Sequence, residues 1–73
     1  MATDEDIRAA VYEELVTDQL IDSDDIDVNV VYGIVSLNGT VPTQAQVSEA
    51  TAAAERAAGG YRVDNLLEIV PLG

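Results

Sequence analysis

Between Ile26 and Thr43 the chain runs through two alternating apolar stretches, separated by a glycine and followed at once by a helix start. Ile26, Val28 and Val30 alternate with Asp27 and Asn29, the period of two of a half-buried strand. Tyr32-Gly33 then leaves room for a tight turn, and Val35 and Leu37 alternate with Ile34, Ser36 and Asn38. The two runs therefore predict a β-hairpin, with Gly39 ending its second strand. Pro42-Thr43 lead into Gln44-Ala45-Gln46, where a Thr43 cap and Gln46 at the third helical position predict a capping box. Val47, Ala50, Ala54 and Ala57 or Ala58 form the apolar stripe of that helix, and side chains so small let a helix approach a sheet closely.

The flanking segments complete the pattern. Thr3 and Asp6 have capping-box spacing, and Asp4 and Glu5 suit the positive end of a helix dipole. Ile7, Ala10, Val11 and Leu15 give the first helix one apolar stripe, in a pattern that reaches Leu20 and Ile21 before Asp22-Ser23-Asp24-Asp25 break it. Gly59-Gly60 stop the second helix. After them, Val63, Asn65, Leu67 and Ile69 alternate with Asp64, Leu66, Glu68 and Val70, a third strand ending before Pro71. The expected fold is α+β, an α-β-β-α-β sandwich with two helices on one face of a three-stranded mixed sheet. Residues 1–73 are expected to make one domain, since a chain of 73 residues buries only roughly 60% of its unfolded surface.

Charge narrows the function. The formal net charge is −11, from 14 acids against Arg8, Arg56 and Arg62 with no lysine, and such a field repels nucleic acid and anionic bilayers. Two accounts of the acidity stay open: solubility by mutual repulsion, or adaptation to high salt, where the screening length falls to about 3 Å at 1 M. The chain has no Cys and no His, hence no thiolate metal site, no disulfide and no imidazole base. No catalytic, cofactor-binding or metal-binding residue is expected, and the protein is not expected to be an enzyme. The acidic start Met1-Ala2-Thr3-Asp4-Glu5-Asp6 is unlike a secretory signal, and no run is apolar enough to span a bilayer. The expected location is cytoplasmic for the chain as given, and envelope or periplasm for a domain cut from a longer exported protein.

With the elements in this order the chain resembles the BON domain, a small module named from bacterial osmotically induced and nodulation proteins. The resemblance covers nearly the whole chain. It is carried by Asp6-Ile7 opening an acidic first helix, the strand Ile26-Asp27-Val28-Asn29-Val30, the turn Gly33 and the run Val35-Ser36-Leu37-Asn38-Gly39-Thr40-Val41. The Ala-rich helix to Ala58 and Gly60 followed by Val63-Asp64-Asn65-Leu66-Leu67 complete it. The resemblance implies the same sandwich and a non-enzymatic binding module linked to envelope maintenance or osmotic stress. It also implies phospholipid as a ligand class, one member binding it through the first helix. Here that helix carries Glu5, Glu13, Glu14 and Asp18 with Arg8 as its only base, which opposes anionic lipid.

Candidate sites follow from the strand faces. Val31, Ile34, Leu66 and Val70 fall on the side away from the helices, among Asp27, Asn29, Ser36, Asn38, Asp64 and Glu68. They are the candidate interaction surface, with the first helix as the alternative, for a protein partner, a lipid-related ligand or self-association, since keeping apolar area wet forgoes on the order of 25 cal/mol per Å². Gly33, Gly39, Gly60 and Asn65 are candidate structural residues, the glycines for backbone freedom or close approach and Asn65 as a polar group on the core-facing side tying its strand to a loop. Arg56 and Arg62 flank the end of the second helix, where cations suit its dipole.

Three alternatives are weaker on their own residues. Asp22, Asp24, Asp25 and Asp27 could make a cation-binding module, but the mid-loop glycine and closing Glu of a calcium loop are missing. Asp22-Ser23 looks like the attachment site of an acyl-carrier protein, yet a strand pattern, not a helix, follows Ser23. The terminal Gly73 prompts a ubiquitin-like modifier, which the helix-first order fits poorly.

Overall fold

The structure is a computed structural model that describes residues 3–72. The elements run α1 (Asp4–Thr17), β1 (Ile26–Val31), β2 (Ile34–Val41), α2 (Gln44–Ala58), β3 (Arg62–Asn65) and β4 (Glu68–Ile69). Met1, Ala2 and Gly73, with the ubiquitin-like reading of the last, lie outside the described residues.

The first helix begins where its cap dictates. Asp6 N–H donates to Thr3 Oγ1 at 3.1 Å and Thr3 N–H donates back to Asp6 Oδ2 at 3.1 Å, a complete capping box. It stops at Thr17, short of the apolar pattern reaching Ile21, because Asp18 leaves helical geometry and its Oδ1 takes the Leu20 N–H at 2.9 Å. Ile21 is buried nonetheless, as an anchor of the connection. The stripe on α1 is narrower than its sequence suggests: Val11 and Leu15 are buried and Ile7 half-buried, whereas Ala10 faces out.

The hairpin closes through Tyr32 and Gly33, both at positive φ (50° and 76°), and pairs Val31 with Ile34 through Ile26 with Gly39 in antiparallel register. β2 does not end at Gly39 but continues to Val41. Gly39 permits this. Its φ is +119°, and a Cβ there would lie 1.8 Å from the Asp25 carbonyl oxygen, so the residue just before β1 comes too close for any side chain at this point of the strand.

The mixed sheet places β2 centrally, antiparallel to β1 and parallel to β3, with the short β4 parallel to the far end of β2. β3 and β4 share one register, pairing Leu37 with Asn65 and Thr40 with Glu68, so the expected third strand exists as two pieces interrupted at Leu66 and Leu67. At the interruption Asn65 Oδ1 accepts from the Leu67 N–H at 3.0 Å, a local side-chain turn between the two pieces.

Both helices pack on one face. The core joins Val11 and Leu15 of α1 and Ala50, Ala53, Ala54 and Ala58 of α2 to Ile26, Val28, Val35, Leu37 and Val41. Thr43 Oγ1 caps α2 by accepting from Gln46 N–H at 3.2 Å, but only half of the expected box forms. The Gln46 carboxamide turns instead to the connection, where its Oε1 accepts from Asp22 N–H at 2.6 Å. α2 ends on Gly59 in left-handed conformation.

Candidate functional site

The strand alternation that sends Val28, Val35 and Leu37 into the core sends their neighbours to the opposite face, and no described element covers that side. Val31, Ile34, Leu66 and Val70 all lie there, with relative exposures of 57%, 39%, 58% and 53%. Val31 and Ile34 sit directly across from each other at the turn end of the hairpin. Leu66 N–H donates to Leu37 O at 2.8 Å and Val70 N–H to Val41 O at 2.9 Å, which places these two progressively further along β2. At about 3.3 Å per residue, the four span roughly 26 Å from Ile34 to Val70. They are strung out rather than gathered, with Ser36, Asn38, Thr40, Asp64 and Glu68 between them.

Asn65 supports this face from beneath. It is half-buried on the helix side, and its Nδ2 donates to Val47 O at 3.1 Å and Thr51 Oγ1 at 2.7 Å. The tie is to the helix α2 and to its own following turn, not to a neighbouring loop. A half-buried amide with both ends satisfied ties the end of β3 to α2 beneath the face on which Leu66 stands. Gly33 and Gly60 also take positive φ, and no atom lies within 4 Å of a Cβ at Gly60.

Each arginine is held by the chain's own acids. Arg8 makes a two-pronged pair with Glu5 (2.9 and 2.6 Å), which draws the Glu5 carboxyl below its ordinary range, and Arg62 Nε meets Asp64 Oδ1 at 2.9 Å. Arg56, expected only to suit the helix dipole, instead reaches Glu14, Asp18 and Glu49 at 3.5, 3.6 and 3.8 Å and bridges α1 to α2. Asp18 is held below the usual carboxylate range, chiefly by the Leu20 N–H, with Glu49 next. Glu49 is pushed up, chiefly by the Asp18 carboxyl beside it, with the Arg56 guanidinium acting the other way.

The remaining candidates do not converge. Among the described residues no three acids are placed to hold one metal ion, so Asp22, Asp24, Asp25 and Asp27 stay a turn and a strand start. A cleft of about 180 Å³ lies against Asp22, Asp25, Thr40, Val41 and Val70, small beside the roughly 300 Å³ at which ligand pockets begin. Ser23 precedes β1 and its carbonyl accepts from Ile26 N–H at 3.1 Å, so the helix an acyl-carrier serine should open is absent at this position. No helix among the described residues is long and apolar enough to cross a membrane.

One exposed line escaped the sequence reasoning. Tyr12 and Val16 face outward on α1 at 45% and 50%, with Leu20 just beyond. Their spacing of four was the available signal, obscured because Ile7, Val11 and Leu15 repeat at the same interval one residue out of phase.

Comparison with curated proteins finds no match. The family comparison is decisive over the same two-helix, mixed-sheet architecture, because the model described as the BON domain matches residues 3–71, nearly the whole chain, and the chain therefore belongs to the BON domain family.

Proposed function

We infer that this BON domain is a non-enzymatic binding module, acting as one unit, that engages a protein partner along the open face of its sheet. The supporting observation is the outer face itself: four exposed apolar side chains over about 26 Å, on a side that no described element of the chain packs against. A strip of that length suits an elongated contact. Its rim of Asp27, Asp64 and Glu68 favours a partner that is not itself acidic.

Family membership supports a binding role in general. Phospholipid is the less favoured ligand here, because every arginine already lies against an acid of the same chain and no lysine exists to meet a phosphate. A role in osmotic stress or envelope maintenance remains a proposal resting on the family alone. The test is partner capture together with sedimentation across concentration. Ile34→Asp or Leu66→Asp abolishes the association while circular dichroism shows the fold intact; association that survives both substitutions refutes the face as the contact surface.

A further inference from the structure

β1 is the outermost strand of the sheet, paired on one side only. Thr40 N–H donates to Asp25 O at 3.3 Å, and the antiparallel register pairs Val31 with Ile34 across the two-residue turn. Hydrogen-bonded pairs alternate along such a ladder, so Asp25, Asp27, Asn29 and Val31 direct their backbone groups to β2. Ile26, Val28 and Val30 direct theirs outward, along the outer edge of the sheet. Both ends of that edge are closed by the chain: Ile26 N–H donates to Ser23 O at 3.1 Å, and Tyr32 N–H donates to Asp4 Oδ2 at 3.1 Å. Between these caps the N–H and C=O of Val28 and Val30 meet no partner among the described residues.

An open edge of that kind is a template for another strand. Charge selects the occupant. Asp27 is exposed on β1, Asp22, Asp24 and Asp25 are exposed just before it, and each arginine is engaged elsewhere, Arg8 with Glu5, Arg56 between the helices and Arg62 on the opposite side of β2. A second copy would bring a further net charge of −11 to the same edge. The geometry points to an extended segment of a basic partner, with lysine or arginine alternating with apolar residues, adding to β1 through Val28 and Val30. This rests on the binding-module reading but uses the edge of the sheet rather than its face, so the two can fail separately.

The probe is a short synthetic peptide alternating lysine with valine, compared with one alternating glutamate with valine, followed by amide hydrogen exchange read residue by residue. The lysine peptide slows exchange at Val28 and Val30, and the glutamate peptide does not. Val30→Pro removes an outward donor that the β1–β2 ladder does not use, and abolishes the protection. Asp27→Lys, at an exposed position that leaves the fold intact, weakens the lysine peptide by about fivefold. Unchanged exchange at Val28 and Val30, equal response to both peptides, or protection arising in concentrated protein alone would overturn the proposal. Shifts confined to Ile34 and Leu66 would overturn it too, while leaving the face reading in place.

Discussion

The two faces of this sheet are built from the same strands and meet opposite fates. On one, Val35 and Leu37 are completely buried under α1 and α2; on the other, Ile34 and Leu66, adjacent in sequence to core-side residues, stand 39% and 58% exposed. The helix-covered face is closed by alanines, whose short side chains let α2 sit close to the strands. The open face keeps apolar residues that the core does not need. Alternation decides which side a residue takes, whereas only the docking of the helices decides which side becomes an interior.

Substitutions that separate the faces test this contrast, beginning with the backbone that both share. Gly39→Ala puts a methyl into the Asp25 carbonyl and forces an L residue into a φ of +119°, at an expected cost of about 4 kcal/mol, measured by urea unfolding. On the covered face, Leu37→Ala empties a fully buried site and costs about 3 kcal/mol in the same assay. Asn65→Ala leaves Thr51 Oγ1 and the Leu67 N–H without their partner and costs about 1–2 kcal/mol, with faster amide exchange at Leu67 as its specific sign. On the open face, Ile34→Asp shifts stability by no more than about 0.5 kcal/mol while removing association. Equal destabilisation by Leu37→Ala and Ile34→Asp would erase the contrast between the faces.

The smallest expected effect lies between the helices. Glu49, with its folded-state pKa raised by Asp18, contributes stability that is full below its unfolded pKa and lost as pH rises through the folded value. Asp18, lowered chiefly by the Leu20 N–H, contributes stability that is full above its unfolded pKa and lost as pH falls through its folded value. Thermal melts of the protein should therefore rise slightly as pH drops towards the ordinary glutamate range and fall below the ordinary aspartate range. Glu49→Gln flattens the rise and keeps the fall; an unchanged rise would mean that general relief of the −11 net charge, and not this pair, produces it.

Local rules carried the helix starts, the hairpin turn and the alternation of β1, because each depends on residues within a few positions of one another. The departures come from contacts that spacing alone does not reveal. Gly39 looks like a strand end until the closeness of the Asp25 carbonyl is known, after which a glycine inside a continuing strand is required. Gln46 has the spacing of a box residue but binds Asp22, distant in sequence. Asn65 keeps its place in the alternation while its side chain joins α2 to the Leu67 N–H, contacts its spacing does not reveal. The candidate surface was legible as a face and not as a shape: alternation assigned Val31, Ile34, Leu66 and Val70 to one side, but their spread along β2 depends on the parallel register with β3 and β4.

Methyl-resolved NMR with a soluble paramagnetic co-solute tests the central contrast most directly. Methyls of Val31, Ile34, Leu66 and Val70 should relax strongly and those of Val28, Val35, Leu37 and Val41 weakly. Equal protection of both sets would show that the outer face is covered, contradicting the account.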